Sequence, residues 1–222
     1  MNKIIVPCTG KCGSRYLMFL FQELNIKTHH ESIFTPLNKD LVNEDSFEWP
    51  NYLTCETSYL STLYLDRLKN MFPEIKILHL YRHPYKVINS WLRKNDPINP
   101  KDDCFPLMRL KSPIMRQYME NNKNPLDIIC FMYCYFNEII IKNKPTATLK
   151  LEDLSVKLIK EVLERLLIPK DEKAISKAIN TLDKNINSMG DKSNDRKLKL
   201  NDFSKDNQEY LKSICKILDY KL

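Results

Sequence analysis

Apolar and polar positions along the chain fall into short continuous apolar runs separated by stretches of helical periodicity. Residues 3–8, with Ile4, Ile5 and Val6 at their centre, read as a buried strand. In 14–24, Leu17, Leu20, Phe21 and Leu24 make one apolar stripe at helical spacing. Residues 26–30 suit a short edge strand, 35–50 look irregular, and Tyr52-Leu53-Thr54-Cys55 reads as a further strand before a helix across 59–71. Residues 75–81 give the clearest strand. A helix then opens at Pro84, where a first-turn proline is tolerated, with Val87, Ile88, Trp91 and Leu92 on its buried side. The stretch 95–125 contains five prolines and a short helix near 105–119, whereas 126–142 is apolar nearly all round and predicts a buried helix. A final strand from Thr146 to Leu151 leads into helices near 153–167, 171–183 and 203–218, with a polar loop at 184–201. Strands alternating with helices imply an α/β chain: a three-layer, P-loop-type fold with a central parallel sheet flanked by helices.

Composition refines this picture in a few places. A chain of 222 residues with only three glycines and 28% charged residues is expected to be one domain spanning 1–222, with 95–125 as a candidate lid or insertion. The formal charge of +7 is moderate, and suits either a solvated lysine-rich surface or attraction to anionic ligands. No segment approaches the roughly 20 apolar residues of a membrane helix. Because the sequence enters its first strand almost at once, no signal peptide is expected. Seven scattered cysteines fit reduced thiols, and Cys130 and Cys134, which share a helix face, find no neighbouring His or Cys to complete a zinc set. The expectation is a cytoplasmic protein with no metal, no nucleic-acid partner and no membrane.

Two motifs carry the chemistry. The first strand runs through Thr9-Gly10-Lys11-Cys12-Gly13-Ser14-Arg15-Tyr16 into a helix. Glycines at 10 and 13 let the backbone approach an anion, the open N–H groups of the first helical turn face it, Ser14 adds a hydroxyl and Lys11 a full positive charge. The strand at 75–81 ends in Arg82-His83-Pro84, with Ser90 eight residues after the arginine. Arg82 emerges where ligands of open α/β sheets bind and can grip a second phosphate, and Lys86 and Ser90 share a helix face. A ligand with two separated anionic groups follows. A nucleoside-triphosphate loop would need Gly-x-x-x-x-Gly-Lys-Ser/Thr, but here Gly13 is followed by Ser14 and the lysine comes two places earlier, which argues against a kinase or ATPase.

This pair of motifs resembles the 5′-phosphosulfate loop and the 3′-phosphate motif of sulfotransferases that use 3′-phosphoadenosine-5′-phosphosulfate (PAPS). Lys11, Gly13, Ser14 and Leu17 fall on the family's Lys-x-Gly-Thr/Ser-x-x-Leu, and Arg82, Pro84 and Ser90 on its second motif. Weaker matches at His30-Glu31, at Leu151-Glu152-Asp153-Leu154 and in a basic stretch before the last helix extend it over most of the chain. The resemblance implies a transferase that moves a sulfuryl group from PAPS to a hydroxyl or amine and releases adenosine 3′,5′-bisphosphate (PAP). Its nucleotide would lie against Gly10, Lys11, Cys12, Gly13, Ser14, Arg15, Tyr16, Arg82 and Ser90. Lys11 would stabilise the leaving group. Glu31, with Phe34 in the later aromatic place, is the first choice as base, His30 the runner-up and Glu56 a third. Arg15 departs from the family's usual threonine and can either reach the phosphosulfate or face solvent. Arg196, Lys197 and Lys199 stand where the family often brings a basic loop onto the 3′ phosphate, although they lack its glycine-rich form; a solvated loop is the other reading. Glu152 and Asp153 read as helix capping. A nucleotide-dependent kinase and a nucleotide-binding protein without turnover are the competing classes. The sequence does not identify the acceptor, expected to be a small molecule or a glycan; the loops 32–50 and 95–125 are expected to shape its pocket, and their aromatic and basic content suits a sugar, a phenol or a peptide alike.

Overall fold

The structure is a computed structural model that describes residues 3–34, 48–94, 104–182 and 196–222. Part of the candidate lid, 95–103, most of the 32–50 loop and most of the 184–201 loop therefore lie outside the described residues. The described chain forms two compact units. The first holds the residues through Arg82 together with 140–182, and the second holds His83–Ile139 together with 196–222.

The first unit is built on five parallel strands: β1 (Ile4–Val6), β2 (Thr28–His30), β3 (Cys55–Thr57), β4 (Lys76–Tyr81) and β5 (Ala147–Lys150), in the spatial order β2-β3-β1-β4-β5. All three residues of β1 are fully buried because the strand has neighbours on both sides, β3 and β4, which is why its sequence is an unbroken apolar run. Edge strand β5 instead alternates buried and exposed positions. Helices α1 (Ser14–Glu23), α2 (Leu65–Met71), α7 (Val156–Arg165) and α8 (Glu172–Thr181) belong to this unit, with α1 packed on β2 and β3 and α7 on β5. This is the α/β, P-loop-type architecture expected from the sequence. From β1 the chain proceeds to one side of the sheet, and from β4 to the other. The carboxyl ends of β1 and β4 therefore flank the switch point at which ligands of such sheets bind.

The second unit holds α3 (Pro84–Lys94), α4 (Cys104–Lys111), α5 (Pro113–Asn121), most of α6 (Pro125–Lys142) and α9 (Lys205–Ile217). Helix α6 is buried nearly all round, as its composition requires, and Cys130 and Cys134 are core thiols. Asp127, in its first turn, accepts hydrogen bonds from the backbone N–H of Ser204 at 2.8 Å and the Asn207 amide at 2.7 Å, which fixes the start of α9. Among the described residues no helix is long and apolar enough to cross a membrane, and no group of three or more His, Cys, Asp or Glu is placed to hold a metal ion.

Element boundaries differ from the sequence reading in four places, each with a local cause. The single helix near 105–119 is two, because Pro113 cannot continue α4 and Ser112 caps α5 by accepting from Met115 N–H. The helix across 59–71 opens as a 3₁₀ turn, Leu60–Tyr64. The third strand is Cys55–Thr57 rather than 52–55, so Glu56 lies inside the sheet and not after it. Helix α7 starts at Val156 with Ser155 as its cap, accepting from Leu158 N–H at 3.2 Å, so Glu152 and Asp153 sit in a preceding 3₁₀ turn and do not cap it.

Candidate active site

Beyond β1 the backbone turns sharply. Gly10 and Gly13 have φ of 70° and 97°, and Lys11, at 56°, shares the left-handed region although it carries a side chain. The Thr62 hydroxyl donates to the Cys8 carbonyl at 3.1 Å and ties the loop to the turn after β3. Cys8 and Cys12 are fully buried, and contact between their thiols together with burial pushes the Cys8 thiol well above its usual range. Cys12 therefore offers the loop its backbone rather than its sulfur. Gly13 caps α1 and has no side chain to bond the first-turn N–H groups, and that turn holds no acidic residue, so the positive end of the helix is not offset from within the helix. Ser14 and Tyr16 are buried there, whereas Arg15 is exposed.

A Cβ on Gly13 would lie 2.8 Å from Leu151 Cδ2 and would carry φ +97°. Gly13→Ala is therefore expected to lower stability by roughly 1–3 kcal/mol, read as a lower thermal midpoint. An unchanged midpoint would show that the loop tolerates a side chain at that point.

Arg82 leaves β4 beside this loop. Its Nη1 donates to the Lys11 carbonyl at 3.4 Å, and its Nε lies 4.0 Å from Glu152 Oε1. Glu152 reaches it because β4 and β5 pair with Tyr81 opposite Lys150, so the residues that follow the two strands emerge side by side. The Arg82 guanidinium, the backbone of Lys11 and a helix N-terminus thus gather at the switch point, with the Glu152 carboxylate beside the guanidinium.

His30 and Glu31 end β2. Edge strand β2 pairs with β3 so that His30 lies opposite Thr57. His30 Nδ1 lies 3.0 Å from the Thr57 carbonyl and 2.9 Å from its hydroxyl, which itself donates to the His29 carbonyl at 3.3 Å. A carbonyl only accepts, so Nδ1 carries the hydrogen and the neutral ring keeps its lone pair on Nε2. That Nε2 is 3.7 Å from Glu31 Oε1. The contact is not an ion pair at neutral pH. Burial, helped by the charges of Arg15 and Lys11 and opposed by the hydrogen bond to Thr57, lowers the imidazole pKa to about 4. The same field puts Lys11 and Arg15 within electrostatic reach of His30.

Glu31 itself has φ 54°, and its N–H donates to the Thr57 carbonyl at 3.0 Å. The next turn is clamped from below by Glu56. This fully buried carboxylate accepts from Ser32 N–H at 2.7 Å, Ser32 Oγ at 2.8 Å and Ile33 N–H at 3.1 Å. Burial raises its pKa and those hydrogen bonds oppose the shift. Glu56 is thus a scaffold for the Glu31 turn and not an exposed base. Phe34 stacks on Tyr64 at 5.7 Å.

The remaining site residues fall in the second unit. Ser90 is half-buried on α3, and Arg196 and Lys197 are exposed at the start of the segment leading to α9. Asn89, 7% exposed, joins the two places: its Nδ2 donates to the Arg196 carbonyl at 3.0 Å while Arg196 N–H donates to its Oδ1 at 3.2 Å. Sequence reasoning missed Asn89, the Arg82 contact of Glu152, and the clamp made by Glu56. The signals available were a polar residue on the otherwise apolar side of α3 and an acidic residue just past a strand end.

Two solved structures share this fold over nearly their whole length. The sulfotransferase domain from the Synechococcus PCC 7002 olefin synthase is 16% identical with a TM-score of 0.57, and the match covers 100% of this chain and 96% of that one. The sulfotransferase domain from the curacin biosynthetic pathway is 14% identical with a TM-score of 0.56, covering 100% of this chain and 98% of that one. The chain therefore has the sulfotransferase fold. No protein-family model and no curated protein sequence matches it.

Proposed function

We propose that this protein is a sulfotransferase that moves a sulfuryl group from PAPS to a hydroxyl or amine of a small-molecule or glycan acceptor and releases PAP. The observation that carries the proposal is the gathering of Lys11, the glycine-capped start of α1 and Arg82 at the switch point of a sulfotransferase fold. Bound PAPS supplies the sulfuryl group and a phosphate leaving group. The loop fits such an anion: Gly10 and Gly13, both at positive φ, turn the backbone into α1, and no acidic residue stands in the first turn of that helix.

The chain's own groups divide the work. First-turn N–H groups and the Ser14 hydroxyl orient the 5′ end. Lys11 stabilises the charge that builds on the departing oxygen, more in the transition state than in the ground state. Glu31 draws the proton from the acceptor, with His30 Nε2 beside it as the alternative acceptor of that proton. Arg82 serves the 3′ phosphate and supplies a charge that the ligand lacking this phosphate cannot use; the family resemblance gives Ser90, Arg196 and Lys197 the same role.

Calorimetric titration tests the reading. PAP is expected to bind without metal and in preference to ATP–magnesium. Arg82→Ala is expected to weaken PAP by about 1.5–3 kcal/mol, the range for hydrogen bonds to charged groups, while adenosine 5′-phosphosulfate loses much less. Preference for ATP–magnesium would overturn the proposal in favour of a kinase. Equal losses for the two ligands would remove Arg82 from the 3′ end.

A further inference from the structure

We infer that Asn89 is a positioning residue that seats the basic segment Arg196–Lys199 along α3 and so sets selectivity for a 3′-phosphorylated nucleotide. The inference rests on the proposed donor, and it concerns a residue that touches neither the nucleotide nor the reacting atoms.

The geometry begins with the amide. A buried primary amide must satisfy both its donor and its acceptor, and Asn89 does so on a single peptide unit, giving to the Arg196 carbonyl and taking from the Arg196 N–H. That two-way pairing mimics a rung of sheet and fixes both the place and the direction of the backbone at Arg196. Downstream, the Phe203 ring stacks on Tyr85 at 6.1 Å, and Ser204 N–H is held by Asp127. Tyr85 and Asn89 are four apart on α3 and share a face. The segment is therefore pinned at both ends along one helix face, running from Asn89 back toward the start of α3.

Ser90 follows Asn89 directly. Whatever anion Ser90 meets, the pinned segment carries Arg196, Lys197 and Lys199 alongside the same turns of α3. The segment from Arg196 to Phe203 contains no glycine to shape it, and the Asn89 amide supplies the registration that its sequence does not. An alanine in its place leaves the Arg196 peptide without its partners and frees the segment to wander at its first pinned point.

Two measurements on Asn89→Ala judge this. In the ligand-free protein, tryptic cleavage after Arg196 and Lys197, followed by mass spectrometry, is expected to run at least several-fold faster than in wild type. Asn89→Asp, which keeps the acceptor and loses the donor, is expected to fall between them. With ligand, Asn89→Ala is expected to bind PAP roughly tenfold more weakly while binding adenosine 5′-phosphosulfate within twofold of wild type, which also certifies the fold. Adding Arg196→Ala to Asn89→Ala is expected to weaken PAP little further, because one substitution already removes what the other supplies. Unchanged cleavage overturns the seating role. Unchanged PAP affinity, or equal loss for both nucleotides, overturns the selectivity role. Wild-type protein that binds neither nucleotide refutes the donor reading and the selectivity role with it, while the cleavage rates still decide whether Asn89 seats the segment.

Discussion

Lys11→Ala is expected to lower the turnover number for sulfuryl transfer by about 10²–10³-fold, the scale on which removing one preorganised stabiliser of a developing oxyanion is felt. The size follows from place as well as charge. Lys11 is held in the left-handed region at φ 56°, as are Gly10 and Gly13, so the direction in which its side chain leaves the loop is set by the backbone of the turn. Its carbonyl receives Arg82, so the residue links both cationic motifs. Alanine keeps the same Cβ and the same strained φ, which isolates the loss of charge. Lys11→Gly relieves the strain and is expected to lose activity equally while gaining stability. Single-turnover rates with saturating PAPS and a competent acceptor give the comparison. Wild-type rates in Lys11→Ala would remove the ammonium from the chemical step, and activity restored by glycine alone would make the backbone, not the charge, the important feature.

How much of this was legible beforehand varied with the range of the interactions involved. Strand β1 was readable because a central parallel strand buries both faces and must be apolar throughout. The phosphate loop was readable because glycine spacing and an adjacent lysine are local facts. Strand β3 was misplaced because Tyr52-Leu53-Thr54-Cys55 has the more strand-like composition, whereas the real strand contains a glutamate. Glu56 is tolerated at zero exposure only because Ser32 and Ile33 bring three donors to it from a distant stretch of chain. Glu152 was read as a cap because its neighbourhood resembles a helix start. Its contact with Arg82 depends on the pairing of β4 with β5, which no local pattern encodes. Asn89 was invisible for the same reason: its partner is 107 positions away. Side chains that position others are fixed by topology, and those that meet ligand are fixed by motif.

Glu31→Gln is expected to lower the rate of transfer by about 10²–10⁴-fold while leaving PAP affinity unchanged, the span associated with a positioned general base. Glutamine keeps the size of the side chain, and the backbone at 31 stays held by the Thr57 carbonyl, so the loss reports the carboxylate alone. His30 competes for the role because its Nε2 lone pair lies 3.7 Å from Glu31 Oε1. Substitution, not acidity, separates the two, because an ordinary glutamate loses its charge at about 4.3, in the same range as the buried imidazole. The folded imidazole titrates at about 4, below its ordinary value, so if it were the base the rate would stay flat from neutrality downward and fall only as pH drops through about 4. Folding stability carries the matching sign. In the unfolded chain the ring takes up its proton near 6.5, whereas in the fold it does so only near 4, so the unfolded state binds more protons in that window and stability declines as pH falls through it. His30→Gln should therefore flatten the loss of stability between those limits, and, with Glu31 as the base, leave most of the activity in place. Normal transfer by Glu31→Gln together with collapse in His30→Gln would reverse the assignment. The Thr57 contact would then be the feature that fixes the basic nitrogen, since it holds the hydrogen on Nδ1 and leaves Nε2 to accept the acceptor's proton.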